Sequence, residues 1–271
     1  MSKRIPPAPP IALTDLSFGK DVSEDEIFSY AQFEQLQAFL KATVKKRSMA
    51  LVTGKAGTGK TTGVRAFTNQ LPANQYQIIY FGQDQDGSNL LRRFVQILGL
   101  KPKYSRVQLP MQISQALSDN LQEGGREIVA VIDEAHLLDD RTLEDIRLLT
   151  NSDFDTKSAL SIILLGHPQL RIRLKSLAFD ALKQRLRYPF FLEGFSLEET
   201  AAYIKHRLAI AGGAPELFSE EAIKRIFDAS EGVLRAINNL CELALLKAEL
   251  AGVDSIDGKL IKQVVSQLEL S

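Results

Sequence analysis

The chain has 271 residues, of which 45% are apolar and 24% charged, the balance of a globular protein with a large core rather than of a disordered chain. At roughly 100–200 residues per domain, this length accommodates one α/β domain and a smaller companion. The 33 Lys and Arg offset 33 Asp and Glu, so no overall charge draws the chain to DNA or anionic lipid, and any such attraction must come from local patches.

Residues 1–22 carry Pro6, Pro7, Pro9 and Pro10 without apolar periodicity, which predicts an extended or disordered arm, either idle or docking a partner. The basic start lacks the apolar segment of a signal peptide. No apolar run approaches the ~18–20 residues of a membrane span, so the expected compartment is the cytoplasm, with no membrane partner. Phe33, Leu36, Phe39 and Leu40 share one face of a helix predicted over about 30–45. Short apolar runs at 49–53, 77–81, 128–133, 160–165 and 188–192 then alternate with helical patterns near 60–70, 88–98, 110–122, 141–150 and 168–187. Runs apolar on both faces, separated by helices, predict a parallel sheet covered on both sides, a three-layer αβα core.

Strand signals stop at Gly194. Helical patterns follow at 197–211, 219–229, 232–250 and 257–269, the first opened by a capping box of Ser196 and Glu199. The expected division is an arm at 1–22, an α/β core at 23–193 and a small all-α domain at 194–271. The single cysteine, Cys241, excludes an internal disulfide or a cysteine-based zinc site. Its apolar neighbours Leu240, Leu243 and Ala244 predict a core thiol.

The strongest chemical signal is Gly54-Lys55-Ala56-Gly57-Thr58-Gly59-Lys60-Thr61, between the first strand and a helix that continues with Thr62. This is the phosphate-loop pattern G-x-x-x-x-G-K-[ST]. Its glycines let backbone N–H groups converge on phosphate oxygens at a helix N-terminus. Lys60 is placed to bridge the β- and γ-phosphates, and the Thr61 hydroxyl to ligate Mg²⁺. Ile128–Glu134 supplies the matching Walker B strand, with Asp133 holding Mg²⁺ and Glu134 orienting and polarising the attacking water. Asp133 lies 73 residues after Lys60, and the pair predicts an ATPase that uses ATP and Mg²⁺. Asp133-Glu134-Ala135-His136 also spells a helicase motif. A helicase of that class needs a second α/β unit with its own arginine motif, and the helical residues after Gly194 leave no room for one. His136 is then a local structural or signalling residue.

A phosphate-loop core followed by a helical lid resembles AAA+ ATPases. Leu164–Leu170, Leu182–Leu186, Phe195–Thr200, Tyr203–Leu208 and Gly232–Asn238 are similar to the ExeA/GspA-type branch, which includes secretion-associated ATPases and transposon ATPases such as TnsC, TniB and MuB. The resemblance covers about residues 27–265. It implies that His167 occupies the first sensor position, where a polar side chain feels the γ-phosphate, with a loop histidine capping the next helix as the competing role. It implies that Arg235 reaches the nucleotide from the lid. It places an arginine finger, entering a neighbouring subunit's site, at Arg185 or Arg187, with Arg185 preferred. Residues 171–187 hold six basic side chains and one acid, which suits either such an interface or a solvated face. Tyr30 and Tyr203 are candidates for the adenine pocket, although core packing is the favoured role for both.

Secretion-type relatives continue into a membrane span, whereas this sequence stops at Ser271, which favours the transposition reading. In that reading, ATP-bound copies assemble as a hexameric ring or helical filament on double-stranded DNA with little base readout. They present it to a transposase, with a target-selection protein as a further partner, and hydrolysis resets the assembly. Lys101, Lys103, Tyr104 and Arg106 form a short basic, aromatic segment suited to phosphates. The alternatives are an ATPase of secretion or pilus assembly and a nucleotide-gated scaffold that rarely hydrolyses ATP.

Overall fold

A computed structural model describes residues 18, 26–82, 87–149 and 160–268. The chain divides into two compact units, residues 31–192 and residues 1–30 with 193–271.

In the first unit, five strands form one parallel sheet: β1 (Met49–Gly54), β2 (Tyr76–Phe81), β3 (Glu127–Ile132), β4 (Leu160–Gly166) and β5 (Leu186–Leu192), in the order β2-β3-β4-β1-β5. Their side chains alternate between two separate cores. Met49, Leu51, Ala130, Ile132, Ile162 and Leu164 face one side, where α3 (Gly87–Ile97), α4 (Leu109–Gln122) and α5 (Asp140–Leu149) pack. Ala50, Val52, Val129, Val131, Ile163 and Leu165 face the other, covered by α1 (Ala31–Lys45) and α2 (Lys60–Asn69). Burying both faces is why these strands read as continuous apolar runs, and each fully buried Leu or Ile contributes about 1.5–3 kcal/mol. The expected three-layer core is present.

The strand order positions the site. In an all-parallel sheet every carboxyl end lies along one edge, where open α/β sheets bind ligands. Thr53 pairs with Gly166 and Ile132 with Leu164, so β4 stands between β1 and β3. The residues at or just after the ends of these three strands are Gly54–Gly59, Asp133–Glu134 and His167, brought to one place from three distant stretches of sequence.

One predicted helix is corrected. The pattern at 168–187 is not one helix but α6 (Pro168–Arg173), a 3₁₀ turn (Leu177–Phe179) and α7 (Asp180–Arg185), after which β5 begins at Leu186. Ser176 makes the break: its hydroxyl accepts the N–H of Ala178, the local competition that disfavours serine inside helices.

The second unit holds α8 (Leu197–Ile210), α9 (Glu220–Ser230), α10 (Leu234–Ala251) and α11 (Gly258–Leu268). The Ser196–Glu199 capping box forms as expected. Cys241 is fully buried with Ile204, Ile226, Ile237 and Ile261. Phe18, which falls inside the span expected to be an arm, is buried in this core, edge-on to Phe218 with the Arg207 guanidinium over its ring. The proline segment 6–10 lies outside the described residues. No described helix is long and apolar enough to cross a membrane.

Candidate nucleotide site

Gly54 ends β1 where chain approaches chain: a Cβ there would lie 2.4 Å from Leu192 O and 2.9 Å from Thr58 Oγ1. Only glycine fits. Gly57 and Gly59 take φ of 81° and 92°, a left-handed backbone that curls the loop back onto the start of α2. Thr58 donates its hydroxyl to Lys55 O at 3.0 Å. Lys60, the first residue of α2, is 7% exposed, and its ammonium donates to Gly54 O and Lys55 O, both at 2.9 Å. The ammonium therefore lies inside the loop whose amides open toward a helix N-terminus, the arrangement that receives phosphate. Lys55, Ala56 and Thr62 complete the predicted segment, and Thr62 lies in the first turn of α2.

Asp133 follows β3, and its Oδ2 accepts from Thr61 Oγ1 at 2.8 Å and from Tyr80 Oη at 2.7 Å. Its Oδ1 accepts the N–H of Glu134 at 2.8 Å. Hydroxyl and carboxylate oxygens are the hard donors Mg²⁺ prefers, so Thr61 and Asp133 fit that ion. Tyr80, on β2, was not among the predicted site residues. Burial, then its bond to Asp133, raises its hydroxyl above the usual tyrosine value.

Glu134 is left-handed at φ 50°, an uncommon and strained state for a residue with a side chain. The kink starts the 3₁₀ turn Ala135–Leu137 and returns the carboxylate toward His136, whose Nδ1 lies 3.2 Å from Glu134 Oε2. His167 begins just after β4, and its ring centre is 4.4 Å from that of His136. Burial, opposed by Glu134 and reinforced by His167 and Lys60, lowers His136 below the ordinary histidine value. Arg173, from α6, secures this turn: it donates to Leu138 O at 2.7 Å and His136 O at 3.4 Å, and pairs with Asp140.

The remaining candidates separate. Arg185 is partly exposed at the end of α7. Arg187 lies in β5 with its side chain outside the described residues. Arg173 and Lys183 pair with Asp140 and Asp180, so the basic stretch 171–187 offers less unpaired charge than its composition implies. In the helical unit, Arg235 is exposed in the first turn of α10. Tyr203 is 4% exposed and donates to Asn238 Oδ1 at 2.8 Å. Tyr30 stacks on Phe28 and meets Phe195 edge-on at 4.7 Å. Both tyrosines pack within an aromatic cluster of their own unit.

Lys101, Lys103 and Tyr104 are exposed, Tyr104 by 97%, on a segment fastened by Gln112 to Lys101 O and Lys103 N and by Arg92 to Tyr104 O. Arg106 does not join them. Its guanidinium turns onto α5, bonding Asp145 at 2.9 Å and Thr142 at 2.8 Å.

A family model described as an AAA domain matches residues 43–174, the segment that holds the phosphate loop, Asp133, Glu134 and His167. Over those residues, about half of the chain, the sequence is similar to an AAA domain. The General secretion pathway protein A of Aeromonas hydrophila is 33% identical over 208 residues, 76% of this chain and 38% of that protein, so the chain spans well under half of that relative's length. Among solved structures, Drosophila ORC bound to DNA matches with a TM-score of 0.65 at 20% identity, over 96% of this chain and 65% of that one. Cdc6p from Pyrobaculum aerophilum matches at 0.63 and 18% identity, over 87% and 68%. At these identities the likeness is one of fold, the AAA+ P-loop fold. The AAA domain supports nucleotide binding and hydrolysis as the general activity. The relation to General secretion pathway protein A supports the ExeA/GspA-like part of the resemblance, and neither likeness extends to transposition.

Tyr80 and Arg173 are the site's residues that sequence reasoning did not find. Tyr80 carried one usable signal, a polar-tipped aromatic near the end of the strand next to the Walker B strand. Arg173 looked like one member of a basic run.

Proposed function

We propose that this protein hydrolyses Mg²⁺-ATP at Gly54–Thr62, and that the ATP-bound state assembles copies of the chain along double-stranded DNA to present it to a transposase. The observation that carries the ATPase reading is the 2.8 Å bond from Thr61 to Asp133. It joins two motifs 72 residues apart through the oxygen donors a magnesium site requires.

In this reading the loop amides take the phosphate oxygens, and Lys60 exchanges its two carbonyl partners for β- and γ-phosphate oxygens. Mg²⁺, held through Thr61 and Asp133, supplies charge neutralisation on the phosphates. Tyr80 and Thr61 fix the Asp133 carboxylate. Glu134 orients a water and accepts its proton as the new oxygen–phosphorus bond forms and the bond to the ADP oxygen breaks. His167 reads the γ-phosphate, Arg235 is the helical unit's phosphate reader, and Arg185 is the finger offered to an adjacent copy, stabilising charge that develops in transfer. Lys101 and Lys103 supply the DNA contact. With zero net charge, single-copy affinity is weak and many copies along one duplex build it.

A second reading, an ATPase of a secretion or pilus assembly, is favoured by the 33% identity to General secretion pathway protein A. Steady-state ATPase assays with and without duplex DNA separate the two. Stimulation by DNA supports the first, and equal turnover supports the second. A Glu134→Gln protein that turns over ATP like the wild type would instead indicate a scaffold whose mode is not hydrolysis.

A further inference from the structure

We infer that Glu134, His136 and His167 form a binding site for a borderline transition-metal cation of the Zn²⁺ class, and that its occupation withdraws Glu134 from hydrolysis. The second half rests on the proposed ATPase reading; the first does not.

The chain has three histidines, and two meet here from different elements, the turn after β3 and the residue after β4. One ligand atom from each of Glu134, His136 and His167 can be chosen so that all lie within 4.8 Å of one another. A tetrahedral ion with bonds near 2.1 Å has ligand–ligand edges of about 3.4 Å, so binding would draw the three side chains closer together. The close approach is built into the backbone. A Cβ at Gly166 would stand 3.0 Å from Leu170 Cδ2 and 3.3 Å from His136 N, so the end of β4 runs close against the backbone of the His136 turn. Arg173 holds the His136 turn through the carbonyls of His136 and Leu138.

The donors are right for such an ion. Two imidazole nitrogens and one carboxylate oxygen form a borderline set that suits zinc, whereas Mg²⁺ takes oxygens alone. His136 Nδ1 is buried without an aligned hydrogen bond among the described residues, so its lone pair is open to a cation between it and Glu134 Oε2, 3.2 Å away. The three side chains are each partly exposed, which leaves a position for water. Two cation sites therefore stand side by side, sorted by ligand type: Thr61 and Asp133 for the hard ion, and the Glu134 trio for the softer one. A cation in the second site would engage the carboxylate that the first site's chemistry needs.

Titration of nucleotide-free full-length protein with Co²⁺, followed by its visible absorption and reversed by Zn²⁺, tests the site. One Co²⁺ per chain is expected. His136→Ala and His167→Ala should each weaken it by more than the ~10–100-fold that loss of an outer-shell partner causes. Asp133→Asn and His206→Ala should retain it, since His206 faces Glu26 O in the other unit. Circular dichroism confirms that the variants fold. A wild type with no Co²⁺ band, or a band that survives both histidine substitutions, overturns the site. If ATP turnover at saturating Mg²⁺ is unchanged with Zn²⁺ bound, the withdrawal of Glu134 is overturned. A protein with no ATPase activity refutes the proposed function, while the Co²⁺ titration still decides the site.

Discussion

The phenolic hydroxyl of Tyr80 donates to Asp133 at 2.7 Å, on the same Oδ2 that accepts from Thr61. The carboxylate is thus fixed from β2 as well as from the phosphate loop. The raised proton affinity of Tyr80, set by burial and by Asp133, keeps it a donor throughout the neutral range. A hydrogen bond of this kind contributes about 0.5–1.5 kcal/mol. Tyr80→Phe should therefore raise the Mg²⁺ concentration for half-maximal ATPase by roughly 2–12-fold, with turnover at saturating Mg²⁺ near the wild-type value. A Mg²⁺ titration of the two proteins checks this, and superimposable curves would count against it.

Arg173 is a fastening for the turn that carries Glu134 and His136 rather than a surface charge. Arg173→Ala should cost about 1–2 kcal/mol, lowering the thermal midpoint by several degrees, and should depress turnover by loosening Glu134. Arg173→Lys cannot make the forked contacts and should recover only part of both. Differential scanning calorimetry and ATPase assays on the pair report the two effects together.

The basic segment near residue 101 divides into two roles. Arg106→Ala removes the bonds to Asp145 and Thr142 and should lower the thermal midpoint while leaving Lys101 and Lys103 in place. Lys101→Glu with Lys103→Glu should leave the midpoint unchanged but weaken duplex binding and flatten its dependence on salt. Fluorescence anisotropy at several salt concentrations separates these outcomes, and equal DNA affinity in the lysine variant would remove the segment from the interface.

Cys241 is wholly buried, and burial pushes its thiol well above the ordinary range. The native protein should resist a thiol reagent and yield one reactive thiol only after denaturation. Rapid labelling of the folded chain would contradict the packing of the helical unit.

The phosphate loop and the Walker B acids were legible in the sequence because their residues are contiguous and their spacing is set by backbone geometry. The sheet was legible because strands buried on both faces must be apolar throughout. What escaped depends on pairing across the fold. Tyr80 finds Asp133 from 53 residues away, Arg106 finds Asp145 from 39, and no local pattern records either contact. The helix expected at 168–187 failed at Ser176, whose propensity is near neutral until its hydroxyl captures a backbone N–H. Phe18 was read with its proline-rich neighbours although it is buried against Phe218.

If triphosphate bound at Lys60 governs assembly, as proposed, sedimentation velocity will show it. Glu134→Gln with ATP, Mg²⁺ and duplex DNA should form large, persistent species. Wild type should form them and then lose them as ATP is consumed, and Lys60→Ala should remain monomeric. A Glu134→Gln protein that sediments as a monomer with all three present, or a Lys60→Ala protein that assembles as readily, would show that nucleotide does not control assembly.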